Sequence, residues 1–95
     1  MKIIAIVVLR EGGADALTTY LETVGPLIER AGGRLIDRSE VTEVLEGNTS
    51  AQFITTVKYP DRLAVAQVFD NDEYRKLRGT REQAFSRYDV YVIDE

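Results

Sequence analysis

The run Ile3-Ile4-Ala5-Ile6-Val7-Val8-Leu9 is apolar at odd and even positions alike. Successive side chains of a strand point to opposite faces, so a strand of this composition needs cover on both. Gly12-Gly13 ends it. Any fold for this chain must therefore supply two apolar neighbours to one short strand, and the rest of the sequence restricts what they are.

From Asp15 the apolar positions Leu17, Tyr20, Leu21, Val24, Leu27, Ile28 and Ala31 follow three- and four-residue spacing, which predicts an amphipathic helix with one buried stripe. Pro26 lies inside it, lacks an amide hydrogen and crowds the preceding turn, so a kink or restart is expected at Gly25-Pro26. Gly32-Gly33 supplies a left-handed stop. Arg34 to Glu46 reads as strand, but fully extended it would run about 43 Å at roughly 3.3 Å per residue. A bulge or bend is expected near Ser39–Thr42. Gly47-Asn48-Thr49 reads as a hairpin turn, and Ala51 to Tyr59 as the next strand, with Phe53, Thr55, Val57 and Tyr59 on one face.

Pro60-Asp61 stops that strand and offers an N-cap to a helix carrying Leu63, Ala66 and Phe69. Asn71 can cap a second helical segment, with Asp72 and Glu73 at its positive end and Arg75, Lys76 and Arg78 toward its negative end. Gly79 marks an interruption. Thr80 and Gln83 have capping-box spacing, which predicts one more turn through Phe85 before a last strand, Tyr88 to Ile93.

The order β-α-β-β-α-β is that of an α+β, ferredoxin-like sandwich: two helical regions on one face of a four-stranded antiparallel sheet, in a single domain over residues 1–95. The helices cover one face only, yet the first strand carries Ile4, Ile6 and Val8 on one side and Ile3, Val7 and Leu9 on the other. A second copy packed sheet to sheet is the simplest cover. The expectation is a homodimer whose two open sheets form a closed or nearly closed barrel.

The chain has no cysteine and no histidine. Disulfides, thiolate chemistry, Ser-His-Asp or Cys-His sites, His-ligated haem and nearly all zinc sites are thereby excluded, leaving carboxylate, Tyr, Lys, Arg or backbone chemistry. A net charge of -4 argues against nucleic acid, whose phosphates need clustered Lys and Arg. The first apolar run is too short to span a bilayer, and Met1-Lys2 leads into it without a signal-peptide cleavage pattern, so a soluble, cytoplasmic protein with no membrane partner is expected.

Taken in order, Tyr20, Pro26-Leu27-Ile28, Gly32-Gly33-Arg34, Leu45-Glu46-Gly47, Pro60, Ala66, Glu73-Tyr74 and Arg81 resemble the uncharacterised family domain of unknown function 1330. The resemblance spans nearly the whole chain and implies a dimeric alpha-beta barrel, a superfamily whose members include cofactor-free monooxygenases, small isomerases and stress-responsive proteins. Two positions depart from the family pattern. Asp72 stands where a proline usually precedes the Glu-Tyr pair, and Ser39-Glu40-Val41 replaces a glycine-rich turn.

Glu46, beside Val44 and Leu45, is the candidate general base or ligand anchor, because a partly desolvated carboxylate can be tuned toward neutral pH. The competing reading pairs it with Arg34 or Arg38 at the hairpin corner. Arg34 and Arg81 are candidates for binding an anion, against ion pairing with Glu46, Asp37 or Glu73. Tyr20 and Tyr74 join an apolar body to a hydroxyl, which suits a pocket wall, although their helical spacing also fits plain core. Phe53, Tyr59, Tyr88 and Tyr91 read as strand aromatics that fill a barrel or a dimer interface. Two functions follow: a homodimer binding a small organic or anionic ligand between sheet and helices, with cofactor-free and metal-free acid-base chemistry led by Glu46, or a non-enzymatic interaction module held by those ion pairs.

Overall fold

The computed structural model of the chain describes residues 1–93. In order it contains β1 (Lys2–Leu9), α1 (Ala14–Arg30), β2 (Arg34–Glu40), β3 (Phe53–Lys58), α2 (Arg62–Phe69), α3 (Asp72–Arg75), α4 (Arg78–Ala84) and β4 (Phe85–Ile93). The strands form one sheet in the order β2-β3-β1-β4, with every neighbouring pair antiparallel. This is the expected ferredoxin-like arrangement, with the two-faced strand β1 at an interior position.

The core lies between sheet and helices. Ile3 and Val7 of β1 are buried there against Tyr20, Val24 and Leu27 of α1, Val65 and Val68 of α2, and Phe85 of β4. The opposite face, with Ile4, Ile6 and Val8 of β1 and Ile54 of β3, stays partly exposed. Opposed residues of an antiparallel pair share a face, so the Ile6↔Ile54 and Ile4↔Thr56 pairs place these side chains together on the uncovered side.

Helix ends are set by local chemistry. At the end of α1, Gly33 N–H donates to Ile28 O and Gly32 N–H to Glu29 O, with Gly32 at φ +81°, the left-handed glycine stop expected from sequence. The Asp61 carboxylate accepts from Ala64 N–H, and the Asn71 side chain accepts from Glu73 N–H, so both expected caps are made.

Four expectations change. Helix α1 passes through Pro26 without a restart. Glu22, whose carbonyl loses its partner at Pro26, and Pro26 itself are exposed, so the freed carbonyl lies on the solvent side of the helix, and Gly25 has no Cβ to clash with the proline ring. The expected interruption falls at Lys76-Leu77, between α3 and α4, and Gly79 lies within α4. That helix is anchored at its far end by Ala84, and Gly13 approaches the Gln83 carbonyl so closely that a side chain there would collide with it. Phe85 opens β4 and is not the end of a helix.

The fourth change concerns β2. The register shift falls between Leu35 and Asp37, not at Ser39–Thr42, and the strand ends at Glu40. Its last rung is Val41 N–H to Gln52 O at 2.7 Å. Gln52 then turns to β1: its N–H donates to Val7 O and its side-chain oxygen accepts from Leu9 N–H. With Gln52 holding both strands, residues 42–51 are cut off from the ladder and form an irregular loop.

Candidate functional site

A cleft of about 540 Å³ opens between α1 and the sheet. Its floor comes from alternate residues of the strands, including Ala5 and Val7 of β1 and Phe53, Thr55 and Val57 of β3, and its roof from Leu17, Tyr20, Leu21 and Val24 of α1. Phe53, Thr55, Val57 and Tyr59 all line it, so the predicted face of β3 is the observed one.

One wall carries the polar groups. Tyr20 from the buried stripe of α1, Tyr74 from α3 and Tyr88 from β4 bring their hydroxyls together, with Tyr88 in the middle: its oxygen lies 2.6 Å from that of Tyr20 and 2.9 Å from that of Tyr74. Phe85 packs edge-on against Tyr20, at 5.3 Å between ring centroids, and tilted against Tyr88 at 5.2 Å. Tyr88 is the cluster residue that sequence reasoning misses as a site candidate. Strict alternation would place Phe85, Arg87 and Asp89 on one face of β4. The register shift that opposes Phe85 to Leu9 and Arg87 to Val8 leaves Ser86 unpaired and returns Tyr88, opposite Val7, to the face of Phe85. The signal available is the parity of Tyr88 with Val90 and Val92.

Arg81 of α4 covers the cluster from behind. Its guanidinium carbon lies 5.0 Å from the Tyr88 ring centroid and 5.3 Å from that of Tyr74, within cation–π range. Its Nη1 is buried and has no hydrogen-bond partner among the described residues. Arg81 also borders a second, smaller cleft of about 320 Å³ along β4, which shares Tyr74 and Tyr88 with the first. The carboxylate bordering that cleft, Asp89, is already held by Arg87 Nε at 2.7 Å.

Burial pushes the Tyr20 and Tyr88 hydroxyls well above the ordinary phenol range, because a phenolate there would lose its hydration. For Tyr88 the adjoining Tyr20 and Tyr74 add to the rise. At Tyr20 the bond to Tyr88 and the Arg81 charge act in the opposite direction but do not cancel burial. Tyr59, deeper in the same core, is pushed up to about 12 by burial and then by Tyr74. Tyr20 and Tyr88 are thus hydrogen-bond donors, not bases, at neutral pH.

Of the residues predicted from sequence, Tyr20 and Tyr74 line the cleft and meet through Tyr88, and Arg81 stacks on two of the three rings. Arg34 borders the cleft, but it pairs in register with Lys58, on the opposite face from Leu35 and Val57. Glu46 does not join them. It lies in the exposed loop beyond Glu40, borders none of these clefts, and makes no hydrogen bond or ion pair among the described residues. The ion pairs expected for Arg34, Arg81 and Glu46 are likewise not formed among the described residues: β2 ends at Glu40, short of Glu46, and Arg81 lies over the Tyr74 and Tyr88 rings. The Arg75–Arg81 stretch is largely a solvated helix face, with Arg75 paired to Asp72 at 3.1 Å and Arg78 to Glu82 at 3.4 Å, as its charge pattern predicts. No helix among the described residues is long and apolar enough to cross a membrane.

Solved structures share this fold. A protein of unknown function from Rhodopseudomonas palustris is 21% identical, with a TM-score of 0.79 over 95% of this chain and 77% of its own. Rv0793 from Mycobacterium tuberculosis is 20% identical, with a TM-score of 0.63 over 99% and 95% of the two chains. A dimeric protein of unknown function and ferredoxin-like fold from Bacteroides fragilis is 12% identical, with a TM-score of 0.60 over 95% and 90%. Among curated proteins none matches this chain. The family model Domain of unknown function (DUF1330) matches residues 3–95, nearly the whole sequence, and the chain belongs to that family.

Proposed function

We propose that this chain is a single-domain, cytoplasmic homodimer that binds a small organic ligand in the cleft between sheet and helices, without a cofactor. The observation that carries the reading is the tyrosine wall: an apolar cleft of about 540 Å³ with three linked hydroxyls on one side has the make-up of a small-molecule site, mostly apolar with a few convergent polar groups. Tyr20 and Tyr74 contact the ligand, Arg34 stands at the rim, and Arg81 lends positive charge from behind the rings.

The dimer follows from the uncovered sheet face. Ile4, Ile6, Val8 and Ile54 form an apolar centre there, flanked by the exposed Tyr91. A second copy of the same face covers it by two-fold symmetry, and the Bacteroides fragilis protein of the same fold is described as dimeric. Glu46 keeps its acid-base role in this proposal only through the dimer. Its loop exposes Val44 and Leu45, the latter at 87%, and in this reading it reaches the partner's cleft.

Thermal-shift screening against small aromatic and carboxylic compounds tests the reading, since a ligand that binds the native state raises its melting temperature. Hits should be lost in Tyr20→Phe and Tyr74→Phe. A Glu46→Gln protein that keeps both its hits and its dimer removes Glu46 from the site. A library without hits, on protein shown to be folded and dimeric, overturns the ligand reading.

A further inference from the structure

Resting on the ligand site proposed above, we infer that the tyrosine end of the cleft receives an oxyanion carried on an apolar body, such as a carboxylate or a phenolate.

The argument is a count of donors and charges. Three neutral phenols carry three hydroxyl protons, and the two links centred on Tyr88 use two of them, whichever way each link runs. The third proton is used by neither of these links. A buried donor left unmade costs free energy that an arriving acceptor recovers. The Arg81 guanidinium lies behind the rings and borders the smaller cleft, so it acts on a ligand in the main cleft through its charge. Charge then selects the kind of acceptor. Arg81 stacks on Tyr74 and Tyr88 and has no carboxylate partner among the described residues, while Asp89 is occupied by Arg87. The cluster holds one cation and no anion of its own, and a partly desolvated cation favours an anionic ligand over a neutral one. Donors already aligned by packing bind an oxyanion without reorganising, as in oxyanion holes. The apolar walls from α1 and the strands accept the rest of the molecule.

The test uses matched probes on the full chain. Benzoate is compared with benzamide, its neutral isostere, by calorimetry at neutral pH, and para-nitrophenol is titrated by absorbance below its own pKa. Benzoate binding at least tenfold tighter than benzamide identifies a carboxylate site. A bound nitrophenol that absorbs as phenolate, with its ionisation midpoint lowered by about one unit or more, identifies a phenolate site, and either result supports the inference. Arg81→Gln should reduce the preference for the anion, and Arg81→Lys, which keeps the charge, should retain most of it. Equal binding of benzoate and benzamide, with nitrophenol bound as the neutral phenol, overturns the oxyanion inference and leaves the ligand site standing. If no probe binds to folded protein, both fall.

Discussion

The hydroxyls of Tyr20 and Tyr88 lie 2.6 Å apart although 68 residues separate them in the chain, and Tyr88 links in turn to Tyr74 at 2.9 Å. Helix α1, the short α3 and the edge strand β4 are thereby joined at one point on the wall of the main cleft. Removing the central hydroxyl has a different consequence from removing a terminal one. Tyr88→Phe leaves both partners without their bond and should cost about 1–3 kcal/mol, whereas Tyr20→Phe breaks one link and should cost about 0.5–1.5 kcal/mol. Urea denaturation of the two variants checks the order; equal losses, or a greater loss in Tyr20→Phe, would contradict the central position of Tyr88.

Alkali should unfold the protein through the same residues. Tyr20, Tyr59 and Tyr88 have folded-state pKa values above the ordinary phenol value of 10.0, with Tyr59 at about 12. The raised value means that the folded chain holds a proton that the unfolded chain releases, so stability is fully present below pH 10 and falls as pH rises past it. The Tyr59 contribution is lost between about 10 and 12. Phenolate absorbance and circular dichroism followed together should change together for these three tyrosines. Their ionisation in a chain that keeps its native dichroism would count against their burial.

Two glycines outside positive φ separate packing from backbone freedom. A Cβ at Gly33 would stand 2.6 Å from Ile28 Cγ2, 2.8 Å from Tyr59 Cε1 and 3.0 Å from the Ile28 carbonyl oxygen, so side chains and backbone would have to shift to admit it. Gly33→Ala should destabilise the fold by about 1–3 kcal/mol. At Gly79, inside α4, a Cβ meets nothing within 4 Å. There alanine lowers the entropy of the unfolded chain and should stabilise by about 0.4–1 kcal/mol. Thermal melts that move in opposite directions for the two variants are the expected outcome.

The proposed dimer is most exposed to test at Ile6, which pairs with Ile54 on one side and Asp89 on the other, on the face that the helices leave open. Ile6→Lys places an ammonium in the centre of the proposed interface and should convert the protein to a folded monomer. Light scattering coupled to size-exclusion chromatography reads the result directly. A wild-type chain that runs as a monomer at all concentrations would remove the interface altogether.

What local pattern governs is legible in the order of the residues alone. The succession of elements, the glycine stop at Gly32, the caps at Asp61 and Asn71, and the cleft-facing set Phe53, Thr55, Val57 and Tyr59 depend on spacing within a few residues. The two-faced character of β1 is equally plain, because alternation in a strand admits no other reading of seven consecutive apolar residues. Pairing between distant segments decides the rest. Local pattern places Glu46 at a hairpin corner, but Gln52 closes the hairpin earlier by bonding to both Val41 and β1, and Glu46 is left in solvent. By the same pattern Tyr88 would fill a barrel or an interface, but the unpaired Ser86 sets it beside Phe85 and within reach of Tyr20. Neither outcome is written in local periodicity: each depends on which carbonyls the opposing strand presents, and that is fixed only when residues dozens of positions apart have paired.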